Sequence, residues 1–289
     1  MQIGFAGLGR MGYPMAANLV AAGHSVFAFD PAASDIPDGV RLVEPAELAR
    51  GPVSISMLPN GPTTRQLVSD GLCDAPADHL HVVMGTVGPD VVRDLAERSA
   101  AQIIDAPVSG SVAMAQSAAI TTMVGASAQQ FAIIQPILAA MTAAQFHAGP
   151  VGAGSIAKLA VNTVLAGLSE AIAEGLLIAE HGGLDLDSFY DILSAGAVGA
   201  PYVGYKRDAF LSPSTTPVAA PVSLIQKDLT LALELADRHG LDLPGARAAN
   251  DVLTDAVSTG FASADMAEVL TVLKHKVAAT SANLVDAHV

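Results

Sequence analysis

The first half of the chain is punctuated by short apolar runs, each closed by glycine, proline or an acid and separated by mixed-polarity stretches long enough for a helix. Residues 26–29 run into Asp30. Residues 53–58 stop at Pro59-Asn60-Gly61-Pro62, after which Thr63 begins a short helix. Residues 80–84 form a fourth strand, and Gly88-Pro89-Asp90 opens a helix reaching Ser99. Residues 102–105 make a fifth strand that ends in Ala106-Pro107-Val108-Ser109-Gly110-Ser111, and residues 120–124 a sixth. A helix over about 128–140, kinked or broken at Pro136, leads to a last short strand near 145–147. Strands alternating with helices predict a largely parallel sheet covered on both faces.

The pattern changes at Gly149-Pro150-Val151-Gly152. Residues 155–181 contain no proline and are apolar nearly all round, as in a helix buried between layers or between subunits. Beyond them the signals are helical, over 186–195, 223–239 and 244–259, with a Pro/Ser/Thr connector at 212–221.

The start of the chain gives the sheet a purpose. Gly7, Gly9 and Gly12 follow the first apolar run, and Asp30 stands 18 residues beyond the last of them, at the end of the second run. A mononucleotide-binding βαβ unit needs this spacing: Gly7 for the tight turn, Gly9 for close approach of a pyrophosphate, Gly12 for helix against strand. The phosphates would lie on the N–H groups at the helix start. The expected fold is therefore α/β, an N-terminal Rossmann-type doubly wound sheet over residues 1–150. An all-helical C-terminal domain over 151–289 follows it, beginning with a long interdomain helix. Asp30 can accept hydrogen bonds from ribose hydroxyls and repels a 2′-phosphate, and no Arg or Lys follows it before Arg41, so NAD is expected over NADP. Ser34 is the residue that could still help hold a 2′-phosphate.

Composition narrows the partners. The chain has 289 residues, 51% hydrophobic but 4% aromatic, so packing leans on Ala, Val and Leu. Fourteen Lys and Arg against 28 acids, a net charge of −14, leave no basic face for nucleic acid. No uninterrupted apolar run reaches the ~20 residues of a membrane span, and the N-terminus runs directly into a strand, so no membrane partner and a cytoplasmic location are expected. Cys73 is the single cysteine, which excludes an intrachain disulfide. His79 and His81 would face one side of a strand, but no further ligand stands at a recognisable spacing, so no metal is expected.

A second candidate site lies at the start of the long helix, where Lys158 and Asn162 are four apart and share a face. A lysine on an apolar helix is costly unless its ammonium reaches water or a partner, and burial lowers its pKa towards the range useful for proton transfer. Asn162 would fix the ammonium or a substrate oxygen. The same residues also fit a lysine that snorkels to water near a helix N-terminus. Lys206 and Arg207 read either as a second anion-binding charge or as a solvated surface pair.

Four segments in this order, GLGRMGYPMAANLVAAGH, DAPVSGS, GAGSIAKLAVN and QKDLTLA, span essentially the whole chain. Together they resemble the β-hydroxyacid dehydrogenase family, whose members include 3-hydroxyisobutyrate and tartronate semialdehyde reducing enzymes. The resemblance implies Lys158 as general acid/base, Asn162 beside it on the substrate, and Ser109, Gly110 and Ser111 on the substrate carboxylate. It implies the turn residues Gly7, Leu8, Gly9, Arg10, Met11 and Gly12, with Asp30, on the dinucleotide. Leu58 and Pro59 fall at the nicotinamide ribose side, Thr86 among the cofactor-binding residues, and Lys227 near the nicotinamide end.

Departures flank the substrate: Ser109-Gly110-Ser111 where the family often has Ser-Gly-Gly, Val161-Asn162 for a paired Asn, and Gly85-Thr86 for Ser-Thr. The implied activity is hydride transfer between NAD and a short, carboxylate-bearing 3-hydroxy acid or its semialdehyde, in a homodimer or homotetramer. An imine reductase on the same scaffold, or a non-catalytic nucleotide-binding protein, are the alternatives. The retained Lys158 favours the alcohol/carbonyl couple.

Overall fold

A computed structural model describes residues 1–286. It forms two compact units, residues 1–159 and 160–289 by chain position. The first is built on strands β1 (Gln2–Ala6), β2 (Ser25–Phe29), β3 (Arg41–Leu42), β4 (Val53–Ser56), β5 (Leu80–Val83) and β6 (Gln102–Asp105). These six lie parallel in the order β3-β2-β1-β4-β5-β6, the arrangement of a dinucleotide-binding doubly wound sheet. Beyond β6 the sheet becomes mixed. β8 (Ile120–Gly125) runs antiparallel to β6 and to β7 (Val108–Ser109), and β9 (Thr142–Gly149) runs parallel to β8.

Helices α1 (Gly12–Ala21), α2 (Gly61–Gly71), α3 (Pro89–Arg98), α4 (Val112–Gln116) and α5 (Ala128–Ala139) connect the strands. The period-2 alternation of the strands divides the core. Val82 and Ile104 join Ile3, Phe5, Met15 and Leu19 in one apolar cluster. Their neighbours Val83 and Ile103 join Val68, Leu72, Val92 and Leu95 in a second cluster, and Ala6, Leu48 and Leu67 form a smaller third.

The structure departs from the sequence pattern in several places. The third predicted strand ends at Ser56, and α2 starts at Gly61 because Asn60 Oδ1 accepts from the Thr63 amide at 2.9 Å. Helix α5 runs unbroken through Pro136. Its start is fixed by a capping box between Ser127 and Gln130, and its buried Ile134, Ile137 and Leu138 keep the helix on the sheet across the missing N–H. The last strand is eight residues long, because its partner β8 extends to Gly125. The short strands β3 and β7 carry too few residues for any periodicity to show.

Two histidines sit wholly inside this unit. His79 is 1% and His81 0% exposed, and they are joined through serines of β4: His79 Nδ1 to Gly51 O, 2.9 Å; His79 Nε2 to Ser54 Oγ, 2.8 Å; Ser54 Oγ to His81 Nδ1, 2.8 Å; His81 Nε2 to Ser56 Oγ, 3.0 Å. Burial, then the neighbouring His79, lowers His81 to about 3, and burial lowers His79 as well. Both are neutral structural groups at pH 7, and no metal-binding cluster of His, Cys, Asp or Glu occurs among the described residues.

Helix α6 (Ala153–His181) begins in the first unit and continues into the second. By length and composition it is apolar enough to cross a membrane, yet Leu159, Ala166, Ile172, Ala173, Leu176 and Ala179 are buried in protein. Helices α7 (Leu186–Ala195), α8 (Pro201–Leu211), α9 (Val222–Arg238), α10 (Pro244–Ala256) and α11 (Val269–Asp286) complete the second unit.

The sequence pattern does not announce α8. Its buried side includes Lys206, which is 1% exposed, where a solvated surface pair was the simpler expectation. Lys206 Nζ lies 2.5 Å from Asp265 Oδ1, and Asp265 also accepts from the amides of Ala219, Ala220 and Ala267. Burial pulls Lys206 below its ordinary value and pushes Asp265 up, but in the carboxylate the ammonium and the amides outweigh burial and hold it low. Arg207 is instead tied to Asp187 and Asp191.

Candidate active site

The three glycines of the first turn have three different reasons to be glycine. Gly7 has φ +91°, donates to Phe29 O at 2.9 Å, and a Cβ there would lie 2.5 Å from Met57 O. A Cβ on Gly12 would meet Gly7 O at 1.9 Å, so only glycine lets α1 approach β1 this closely. Gly9 faces open space, with nothing within 4 Å of where its Cβ would be. Met11, which precedes helix α1, gives it no side-chain cap. An uncapped helix start beside an open glycine fits a pyrophosphate.

Beside this turn lies a cavity of about 410 Å³ lined by Gly9, Arg10, Tyr13, Asp30, Ser34 and Asp35, among others. Asp30 Oδ2 accepts from the Leu8 amide at 2.6 Å and Oδ1 from the Ala32 amide at 2.8 Å. The carboxylate therefore fixes the turn while keeping lone pairs for ribose hydroxyls. Burial and the neighbouring Asp35 keep the Tyr13 phenol above its ordinary value, so it remains a donor. At the ends of β4 and β5, Leu58 is half-buried and Pro59 exposed, and a Cβ on Gly85 would meet Leu58 O at 2.1 Å. This contact brings the Leu58 segment against Gly85 and the half-buried Thr86.

Ser109 ends β7, opposite Thr121 of β8. Gly110 has φ +145°, and a Cβ would come 2.8 Å from Ile120 Cγ2. Its need for glycine thus comes from the backbone and β8; room for a substrate is not required to explain it. Ser111 Oγ accepts from the Met114 amide at 3.2 Å and caps α4. The Ser111 oxygen is thus used structurally, and its hydroxyl proton is the part left to donate.

Lys158 is half-buried in the second turn of α6, and Asn162 follows one turn later, 2% exposed. Asn162 Nδ2 donates to Asp228 Oδ2 at 2.6 Å, which turns its carbonyl oxygen to the opposite side of the amide. Lys227 Nζ is 2.8 Å from Asp228 Oδ1, an ion pair whose direction does not make it a hydrogen bond, and Oδ1 accepts none. Asp228, 2% exposed, therefore gathers Asn162 and Lys227 at one carboxylate. The residues expected at the site do not include Asp228. The signal was present: Asp228 falls on the apolar face that runs Ile225, Leu229, Ala232 along α9, where an acid needs a partner.

Residues 2–149 match the family described as the NAD binding domain of 6-phosphogluconate dehydrogenase. Residues 152–273 match that described as NAD-binding of NADP-dependent 3-hydroxyisobutyrate dehydrogenase. This chain belongs to the 3-hydroxyisobutyrate dehydrogenase family. It is 36% identical over 265 residues to a probable 3-hydroxyisobutyrate dehydrogenase of Mycobacterium tuberculosis, covering 86% of this chain and 90% of that one. It is 35% identical over 275 residues to the 3-hydroxyisobutyrate dehydrogenase of Pseudomonas aeruginosa, with the same coverage. The solved structure of a Mycobacterium tuberculosis 3-hydroxyisobutyrate dehydrogenase with L-serine superposes with a TM-score of 0.82 at 33% identity, covering 94% of this chain and 98% of that one. As a member of the 3-hydroxyisobutyrate dehydrogenase family the chain is an NAD(P)-binding oxidoreductase, and its Gly7–Gly12 turn and open Gly9 are the residues that fit the dinucleotide.

Proposed function

We propose that the chain is an NAD-preferring dehydrogenase that interconverts a short 3-hydroxy acid, of the 3-hydroxyisobutyrate kind, and its semialdehyde. The observation that carries this reading is the placement of Lys158 and Asn162 one turn apart on α6, with Asn162 held by buried Asp228. The amides and hydroxyls of Ser109, Gly110 and Ser111 hold the substrate carboxylate. Neutral Lys158 takes the hydroxyl proton as the carbinol hydrogen leaves as hydride, and the protonated lysine returns it in reduction. The dinucleotide, when bound, accepts or returns that hydride. Lys158→Met keeps most of the side chain's volume, so it should fold and bind NADH while kcat falls by about 10² to 10⁴. Oxidation needs the neutral amine and should improve on the alkaline side, a dependence the variant should lose. Retention of more than about a tenth of the rate would leave proton transfer to another group.

The NAD preference rests on the cavity beside the turn. Two carboxylates, Asp30 and Asp35, share its lining with one guanidinium, Arg10, so the wall is unfavourable to an added phosphate dianion. Asp30→Ala should narrow the preference, and equal use of NADP by the unaltered protein would overturn it. Assembly into a homodimer or homotetramer is supported by Val161, Val164 and Ile178, which leave an apolar strip exposed on α6. Light scattering that shows a stable monomer at micromolar concentration would count against it.

A further inference from the structure

The start of α6 has no cap of its own. Gly152, with φ +91°, immediately precedes the helix and has no side chain to offer. The acceptor comes instead from a strand end 47 residues earlier: Asp105 Oδ1 accepts from the Gly152 amide at 2.7 Å and Oδ2 from the Ser155 amide at 2.5 Å. The Ser155 hydroxyl also lies beside this carboxylate and favours its charged form. Asp105 is 0% and Ser155 2% exposed.

Two glycines leave room for this contact. A Cβ on Gly125 of β8 would lie 2.1 Å from Asp105 Oδ1, and one on Gly154 would lie 2.2 Å from Met123 O. The helix start is thereby pressed onto the ends of β6 and β8. Lys158 follows Ser155 by three residues, so it leaves the helix on the same face one turn later.

We infer that Asp105 is a positioning residue for Lys158, fixing the register and tilt of the first turn of α6 so that the amine meets the substrate hydroxyl. The inference rests on Lys158 being the proton-transfer group. Asp105 also precedes Ser109 by four residues, and Thr122 Oγ1 ties the intervening Ala106 and Pro107 carbonyls to β8. One strand end therefore sets both the carboxylate-holding segment and the helix that bears the base. Both oxygens of Asp105 are engaged by amides of the helix start.

Asp105→Asn tests this in the full-length protein. Asparagine keeps one acceptor but turns an NH₂ group towards an N–H, so the first turn of α6 loosens. Amide exchange over residues 152–158 should accelerate, and kcat should fall by ~10-fold to 10²-fold, the cost of misplacing a reacting group by about an ångström. KM for the hydroxy acid and the NADH dissociation constant should stay near their original values. Ser155→Ala removes only the hydroxyl and should give a smaller kcat loss in the same direction; it decides the matter if Asp105→Asn fails to fold.

An unchanged kcat in the variant that folds overturns the inference, as does a fall in kcat accompanied by parallel rises in KM and in the NADH dissociation constant, the mark of general damage. Lys158→Met measured alongside separates the two ideas. If it retains the rate, the proton-transfer reading falls and the role of Asp105 with it. If it loses the rate while Asp105→Asn retains it, Asp105 alone is removed.

Discussion

The two units hold their buried charged groups by different means. In the sheet-based unit the buried groups are neutral or lean on backbone: His79 and His81 share Ser54 and Ser56, and Asp105 takes amides of Gly152 and Ser155. In the helical unit a buried carboxylate is met by another side chain, Asp265 by Lys206 and Asp228 by Asn162. The reason is where unpaired backbone lies. A sheet with helices on both faces ends many strands and starts many helices at one edge, each offering free N–H or C=O groups. A helix interior has spent its backbone on itself, so a buried charge there needs a partner from another side chain.

The largest test of this contrast is Lys206→Met. It leaves Asp265 buried without its ammonium, and the expected loss is about 3 kcal/mol or more in denaturant melts, the scale for breaking one side of a buried pair. A small loss would show that the three amides on Asp265 suffice, and that the helical unit also relies on backbone.

Acid should act next, and on the other unit. His81 stands at about 3 when folded against 6.5 ordinarily. Its contribution is complete above pH 6.5 and is lost progressively as pH falls towards 3, because the unfolded chain takes up the proton first. By pH 5 this amounts to ~2 kcal/mol. The loss should shrink in His81→Gln, which separates the imidazole from Asp105, whose burial-raised carboxyl acts in the opposite sense.

Ser54→Ala removes the hydroxyl shared by both rings and should cost about 1–2 kcal/mol, the penalty for buried groups left without partners. Smallest of all, Lys274→Ala breaks an exposed pair with Glu180 and should change stability by less than about 1 kcal/mol. A larger effect would make surface charge a third contributor to the helical unit.

The sheet and the dinucleotide turn were legible because glycine and apolar periodicity report backbone demands directly. Gly7 and Gly12 do what their spacing suggests, and Asp30 reaches the turn through the Leu8 amide. Helix α8 was less legible, since Lys206 faces inward and Tyr205 outward, which erases the amphipathic pattern. Pro136 misled because a proline removes one hydrogen bond but cannot cancel a buried apolar face. Within the candidate site, Lys158 and Asn162 stood out by type and spacing, and Ser109 only through the family resemblance. Asp105 and Asp228 did not, because their significance lies in partners 47 and 66 residues away, a relation no local window contains. An acid closing the apolar pair Ile103-Ile104 was nevertheless a hint that something must donate to it.

The histidine pair has one further consequence. The Gly51 carbonyl can only accept, so His79 must carry its proton on Nδ1 and take the Ser54 hydroxyl proton on Nε2. Ser54 is then left to accept from Nδ1–H of His81, whose Nε2 accepts from Ser56. Every donor in the row points the same way, from the carboxyl end of β4 towards its amino end, and a single main-chain oxygen dictates the tautomer of two imidazoles. Ser56, its proton committed inward, can offer only lone pairs to whatever else lies beside it.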